Sequence, residues 1–336
     1  MKKLILFLIL LLGAAVSQKA AGALNARAAQ NANPLFLPLV LSVPLSTTLG
    51  GCPMFPGDNI WNRRVDTLPV HAKSAQYVNI IGSTEDVHAD FGEGVWNGFP
   101  IGIPYVIVPK NQPGVTVTFD YDDDSDHVPY PIPANPPIEG GGDRHILILQ
   151  QETCKLYELY AAEKQSNGAW HAGSGAVFDL RSNALRPDGW TSADAAGLPI
   201  LPGLVRYDEV ASGEIKHAIR FTAQQTPKGL YVWPARHWAC NTYCNANAAP
   251  FGTRFRLKAS FNINSLPSHE ARVIARAMQV YGIILADNGG NWYISGVPDE
   301  RWDNDVLHEL DVIEGGDFEA VDTSGLMIDR NSGQSR

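Results

Sequence analysis

The sequence predicts a mainly β fold: an antiparallel β-sandwich or jelly-roll-like domain with long loops and one or two peripheral helices. Three observations carry this. Short runs rich in Val, Ile, Tyr and Phe recur between turn residues, and the run RFRLKASFNI (254–263) alternates apolar and polar positions. Glycine (31) and proline (23) together make up about a sixth of 336 residues, which favours many turns over long helices. Only one segment has a strong helical pattern: Ser268 as cap, Val273, Ile274, Ala277, Met278 and Tyr281 on one face, and Gly282 as the stop.

In chain order, Met1 to Ala20 place two lysines before an apolar run from Leu4 to Val16, followed by small residues. This is the pattern of a secretory signal peptide, here 1–23, and the run is shorter than the ~20 residues a spanning helix needs. An Ala/Asn/Pro-rich linker is expected over 24–51, a single β-rich domain over 52–323 and a flexible tail over 324–336. IPYVIVP and VTVTFDY flank a turn and read as a hairpin. HILILQ and KLYELYAA form a second hairpin around QETC. AVFDLR, EIKHAIRF, LYVWPARHW, RFRLKASFNI and the pair IILAD–WYISG complete the strands, and a short helix is expected from Asp303 to Leu310.

Composition bounds the function. The net charge is -9 with no basic run outside the extreme N-terminus, which argues against nucleic acid or an anionic membrane as partner. After signal removal no membrane span is expected. Cys52, Cys154, Cys240 and Cys244 in an exported chain suggest two disulfides. Cys240 and Cys244 can staple one loop, leaving Cys52 for Cys154, but four cysteines allow three pairings. CxxxC without a second ligand pair is a poor zinc motif.

No GxSxG, HExxH, P-loop, GxGxxG or EF-hand pattern is present. Candidate chemistry therefore rests on scattered acids and histidines. Asp143 and His145 share one side of the mouth of the strand that begins in GGGDRHILIL, where a carboxylate can orient an imidazole. The plainer alternative is an Asp bonded to the glycine turn and a His bonded to a backbone carbonyl. Asp179 sits in mid-strand and needs a partner if buried. Asp208 and Glu209 point to opposite sides if extended, and His217 lies on an apolar strand face. Trp170, Trp190, Tyr207, Trp233 and His237 are candidate sugar-stacking or core aromatics. The acid-dense DYDDDSDH reads as a solvated hairpin, with a weak Ca²⁺ site at Asp120, Asp122 and Asp124 as the alternative. No other cofactor is expected.

Two stretches, DLRSNALRPDGWTSADAAGLPILPGLVRYDE and ADNGGNWYISG, resemble segments of a group of secreted bacterial proteins, and the resemblance extends over the body from Cys52 to about Thr323. It implies one extracellular family domain and carries over no catalytic residue.

The leading expectation is a secreted glycoside hydrolase acting on an extracellular polysaccharide. Asp143, Asp179, Asp208 and Glu209 are its carboxylate pool, assisted by His145 and His217. The alternatives are a non-catalytic glycan-binding or cell-surface module, and a polysaccharide lyase using His and Tyr.

Overall fold

The structure is a computed structural model that describes residues 47–240 and 242–336. The signal peptide, and all but the last five residues of the linker expected over 24–51, lie outside the described residues.

The fold is mainly β, with mixed rather than purely antiparallel sheets. A six-stranded sheet runs in the order Phe318–Ala320, Arg254–Leu257, Ile283–Asn288, Ile219–Ala223, Tyr293–Ser295, His88–Asp90. Two of its pairings are parallel: Ile219–Ala223 with Ile283–Asn288, and Tyr293–Ser295 with His88–Asp90. The expected IILAD–WYISG hairpin is therefore replaced by two strands that flank a third. A four-stranded sheet has the order Ser174–Asp179, Lys155–Tyr160, Ile146–Gln150, Tyr105–Val108. Its central pair is the expected hairpin, with Ile148 opposite Tyr157. The other expected hairpin does not form. Tyr105–Val108 pairs parallel to Ile146–Gln150, and Val117–Phe119 joins a separate three-stranded sheet beside Trp170–Ala172.

Ile146–Gln150 is buried on both faces. Ile146 and Ile148 pack with Val117, Phe119, Tyr130, Tyr157 and Trp170, whereas Leu147 and Leu149 belong to the larger core around the six-stranded sheet. A strand apolar on both faces belongs in the middle of a layered structure, and its sequence says so.

The helix His269–Val280 starts where Ser268 Oγ accepts from Ala271 N at 3.1 Å. Val273, Ile274, Ala277 and Met278 are buried. The chain turns at Gly282 (φ +70), where a Cβ would lie 2.2 Å from Phe255 O, so only glycine fits. The helix expected from Asp303 to Leu310 is an α-turn, Asn304–Leu307, continued by a 3-10 stretch, His308–Val312, with Asp303 as cap.

Two expected strands are corrected. RFRLKASFNI is extended only over Arg254–Leu257, after which Phe261 N bonds back to Lys258 O and the chain turns. LYVWPARHW is irregular, as a central proline that cannot donate to a ladder would require.

Residues 324–336 run back along the domain. Ile60 N donates to Gly333 O at 2.8 Å, Gly333 N donates to Asn183 O at 2.6 Å, and Ser335 is buried. The cysteines pair as Cys52–Cys154 and Cys240–Cys244.

Candidate functional site

Three constellations stand out: two buried ion networks and one cleft.

The first network lies at the mouth of Ile146–Gln150. Arg144 adopts φ +44, so the extended alternation stops there and His145 turns inward. His145 is buried. Its Nδ1–H donates to a Glu139 oxygen and its Nε2–H donates to Ala193 O at 3.0 Å. With both nitrogens donating, the imidazole is a cation. Burial opposes that charge, but Glu139 outweighs it and raises the pKa from 6.5 to about 9. Burial likewise pushes Glu139 upward, and the charge and hydrogen bonds of His145 hold it below the usual carboxylate range.

Beside it, Arg220 on the Ile219–Ala223 strand grips the fully buried Asp194 through Nε at 2.8 Å and Nη2 at 2.6 Å. It also donates to Ser295 Oγ at 2.6 Å and Asp287 Oδ2 at 3.2 Å. Burial, reinforced by the neighbouring Asp194 charge, raises the Asp287 pKa well above its ordinary value, and the Arg220 charge opposes this. Glu158, fully buried in the Lys155–Tyr160 strand, accepts from Ile200 N and Leu201 N at 2.9 Å, and burial pushes its pKa up to about 7.

These shifts fix a pH dependence. A histidine whose folded pKa is raised contributes stability that is complete below 6.5 and is lost as pH rises to about 9. Glu158 has the same sign over a lower window, from 4.5 to about 7. Urea midpoints are therefore expected to fall from pH 7 to pH 9, and His145→Gln is expected to flatten that interval while leaving the lower one in place. An unchanged slope in the variant would remove His145 as its source.

In the second network Arg206 Nη2 donates to Glu209 Oε1 at 2.7 Å, and His217 Nε2 lies 3.1 Å from Glu209 Oε2. Glu209 is not on a strand but in the helical turn Tyr207–Ser212. Burial opposes its ionisation, yet the Arg206 and His217 partners win and hold its pKa at about 2.

Of the six residues expected to carry catalysis, the structure brings together Glu209 and His217, and leaves Asp143 close to His145 in sequence but on the surface. His145 takes Glu139, not Asp143, as its carboxylate. Asp179 is exposed, accepting from Arg181 N at 3.0 Å, with Lys155 at 4.0 Å. Asp208 is exposed and pairs with Arg301 at 2.7 Å.

Among the expected sugar-stacking residues, Trp170 is buried in the smaller core. Trp190 lies under the Arg186 guanidinium at 5.5 Å, and Tyr207 is held between Trp302 and Arg301. His237 bonds Ala195 O through Nδ1 at 2.9 Å. Trp233 alone of this set lines the cleft.

The acid-dense loop is tied inward by Asp126, which pairs with buried Arg186 and accepts from Val177 N at 2.8 Å. Asp120 meets His171 at 3.1 Å, and Asp122–Asp124 forms a 3-10 turn. Among the described residues no group of three or more His, Cys, Asp or Glu converges as a metal cage.

The cleft has a volume of about 410 Å³. One wall is the irregular segment Tyr231–Arg236, brought against Phe251 because Gly252 (φ +87) has no Cβ to meet Val232 O, 1.9 Å from where one would stand. Another is the C-terminal segment with Ser324, Met327 and Arg330, and a third is His71 stacked on Tyr77 at 5.4 Å. Trp233 is fixed by its Nε1–H to Ser332 O at 2.8 Å. Asp188 accepts from Tyr231 Oη at 3.0 Å and Arg330 Nη2 at 2.9 Å, with Arg236 at 3.5 Å. The Tyr231 hydrogen bond, then these arginines, hold Asp188 below its ordinary pKa, and hydrogen bonds from Ser324 do the same for Asp322. Both cleft carboxylates are ionised, so neither is a proton donor at neutral pH.

Fold and cleft define a mainly β domain with a cleft lined by aromatic rings, arginines and aspartates. No family model, curated protein or solved structure matches the chain. Sequence reasoning missed Glu139, Glu158, Asp194, Arg220 and Asp287. The available signal was a carboxylate within an apolar stretch, as in KLYELY and IILAD, which burial forces to find a partner.

Proposed function

We propose that this protein is an exported carbohydrate-binding protein whose ligand lies in the cleft between Tyr231–Trp233 and His71–Tyr77. The observation that carries this reading is the cleft itself. Partly exposed aromatic rings offer apolar faces, hydroxyls and carboxylates ring them, and the acids are locked in the ionised state that accepts hydrogen bonds rather than transferring protons. The two disulfides support an oxidising destination. No helix among the described residues is long and apolar enough to cross a membrane.

Retention on a panel of polysaccharides tests the proposal. Wild type should bind at least one, and Trp233→Ala should weaken binding about tenfold or more at an unchanged melting temperature. Equal retention by wild type and variant would move the ligand out of this cleft.

A second reading, glycoside hydrolysis, is favoured by one observation. Glu139 is shifted below its ordinary pKa and Asp287 above its own within the same polar region, the opposed directions that an acid and a base require. Release of reducing ends by wild type, abolished in both Glu139→Gln and Asp287→Asn, would establish it. The Ca²⁺ site at Asp120, Asp122 and Asp124 remains a minor proposal, tested by a calcium-dependent rise in melting temperature that is absent in Asp122→Asn.

A further inference from the structure

Plain strand alternation would turn Asp287 into the core. On Ile283–Asn288 it would share a side with Ile283 and Leu285, which lie opposite Ile219 and Phe221 and belong to the large apolar cluster. A β-bulge prevents this. The register shifts between Phe221 and Thr222, so Asp287 rather than Ala286 lies opposite Thr222. Bulges re-aim a side chain in this way and are over-represented next to active sites. Asp287 is thereby brought to the side of Arg220, which donates to it at 3.2 Å.

That side is polar across four strands. Thr222 lies opposite Tyr293, and Tyr293 opposite His88. Asp287, Thr222, Tyr293 and His88 therefore form one row, about 14 Å long at ~4.8 Å per strand. In the next row Ser295, which accepts from Arg220 at 2.6 Å, lies opposite Asp90. The reverse side of the same strands carries Phe221 and Ile294 in the core. The Glu139–His145 segment lies alongside: Glu139 and Asp143 are close enough to act on Asp90, and His145 on Asp287.

One ring on this surface is both fixed and open. Tyr293 lies 4.3 Å from the His88 ring, and a Cβ at Gly290 would stand 2.6 Å from the Tyr293 ring. Tyr293 is nevertheless 37% exposed. A fixed, exposed ring beside carboxylates can receive a sugar, whose C–H face packs on the ring while its hydroxyls donate to the acids. The buried cations nearby are already engaged, Arg220 by Asp194 and His145 by Glu139. Asp90 and Asp143 are exposed without such a partner. An acidic sugar would meet like charge here, whereas a neutral one would not.

We propose that this surface is the substrate contact of the hydrolase reading, where one ring of a neutral glycan stacks on Tyr293 and neighbouring hydroxyls donate to Asp90 and Asp287. This rests on that reading and adds to it the residue that holds the sugar and the class of sugar held.

The test uses the full chain in a Trp233→Ala background, so that the cleft does not contribute. Cellohexaose, mannohexaose and xylohexaose are the neutral probes, and oligogalacturonate of similar length is the acidic one. Reducing-end release and calorimetric binding are both read. At least one neutral hexaose should be cleaved, and oligogalacturonate should not. Tyr293→Ala is expected to raise KM about tenfold or more, with the loss falling on KM rather than kcat. Tyr293→Phe should restore KM, because the ring and not the hydroxyl makes the contact. Both variants should melt with the parent. Should the alanine variant fail to fold, Tyr293→Leu keeps the bulk without the aromatic face and carries the same expectation. Cleavage with KM unchanged in Tyr293→Ala would uphold the hydrolase reading and overturn the Tyr293 contact. Binding of a neutral hexaose that needs Tyr293, without any product, would uphold the contact and end the hydrolase reading. Neither cleavage nor Tyr293-dependent binding would overturn the contact, and so would a preference for oligogalacturonate.

Discussion

Arg220→Met is expected to destabilise the fold by about 3–5 kcal/mol, measured as a shift of the urea midpoint at constant slope. The side chain is the counter-charge for Asp194, which has no exposure, and also donates to Asp287 and Ser295. Removing it leaves a carboxylate stranded in the core, and the cost comes from that stranded charge more than from the lost bonds. The double variant Arg220→Met/Asp194→Leu should therefore recover part of the loss. If the double variant is as unstable as the sum of the two single changes, the two side chains are not coupled.

The second large effect is the Cys52–Cys154 bridge. It closes a loop with a sequence separation of 102, and both sulfurs are fully buried. On the chain-entropy account such a loop contributes about 4–5 kcal/mol, whereas the Cys240–Cys244 bridge, with a separation of 4, contributes about 2. Replacing Cys52 and Cys154 together by alanine should lower the unfolding free energy by roughly the larger figure. Replacing Cys240 and Cys244 should have the smaller effect. The reverse order would show that strain or residual structure outweighs loop closure. The large bridge ties the short strand Cys52–Pro53 to the turn after Ile146–Gln150, and so joins parts of the chain that are distant in sequence.

Much of the fold was legible because it depends on local pattern. The Ser268-capped helix, the ILIL strand with two apolar faces and the hairpin around QETC all follow from spacing that one segment carries by itself. Pairings between remote strands were not legible, and this is why two expected hairpins became parallel partners of other strands. The site was harder still. RFRLKASFNI shows an apolar face and a cationic one, and the cationic one reads as solvent-facing. In the folded chain residues 60–68 cover that face, so Arg256 bonds Val65 O and Leu68 O while Arg254 is enclosed. No local pattern reports which distant loop will lie over a strand. The same holds at Asp143-Arg144-His145, where the left-handed turn at Arg144 aims His145 away from its sequence neighbour and toward Glu139.

Ile146–Gln150 carries a further consequence. One strand of five residues supplies Ile146 and Ile148 to one apolar cluster and Leu147 and Leu149 to the other. Neither cluster can be dismantled without exposing a face of that strand, and its backbone hydrogen bonds to both neighbours would then open to water. The domain consequently has no independent half to lose first. The two clusters are therefore expected to melt in a single cooperative transition, with the amides of this strand the last to exchange with solvent.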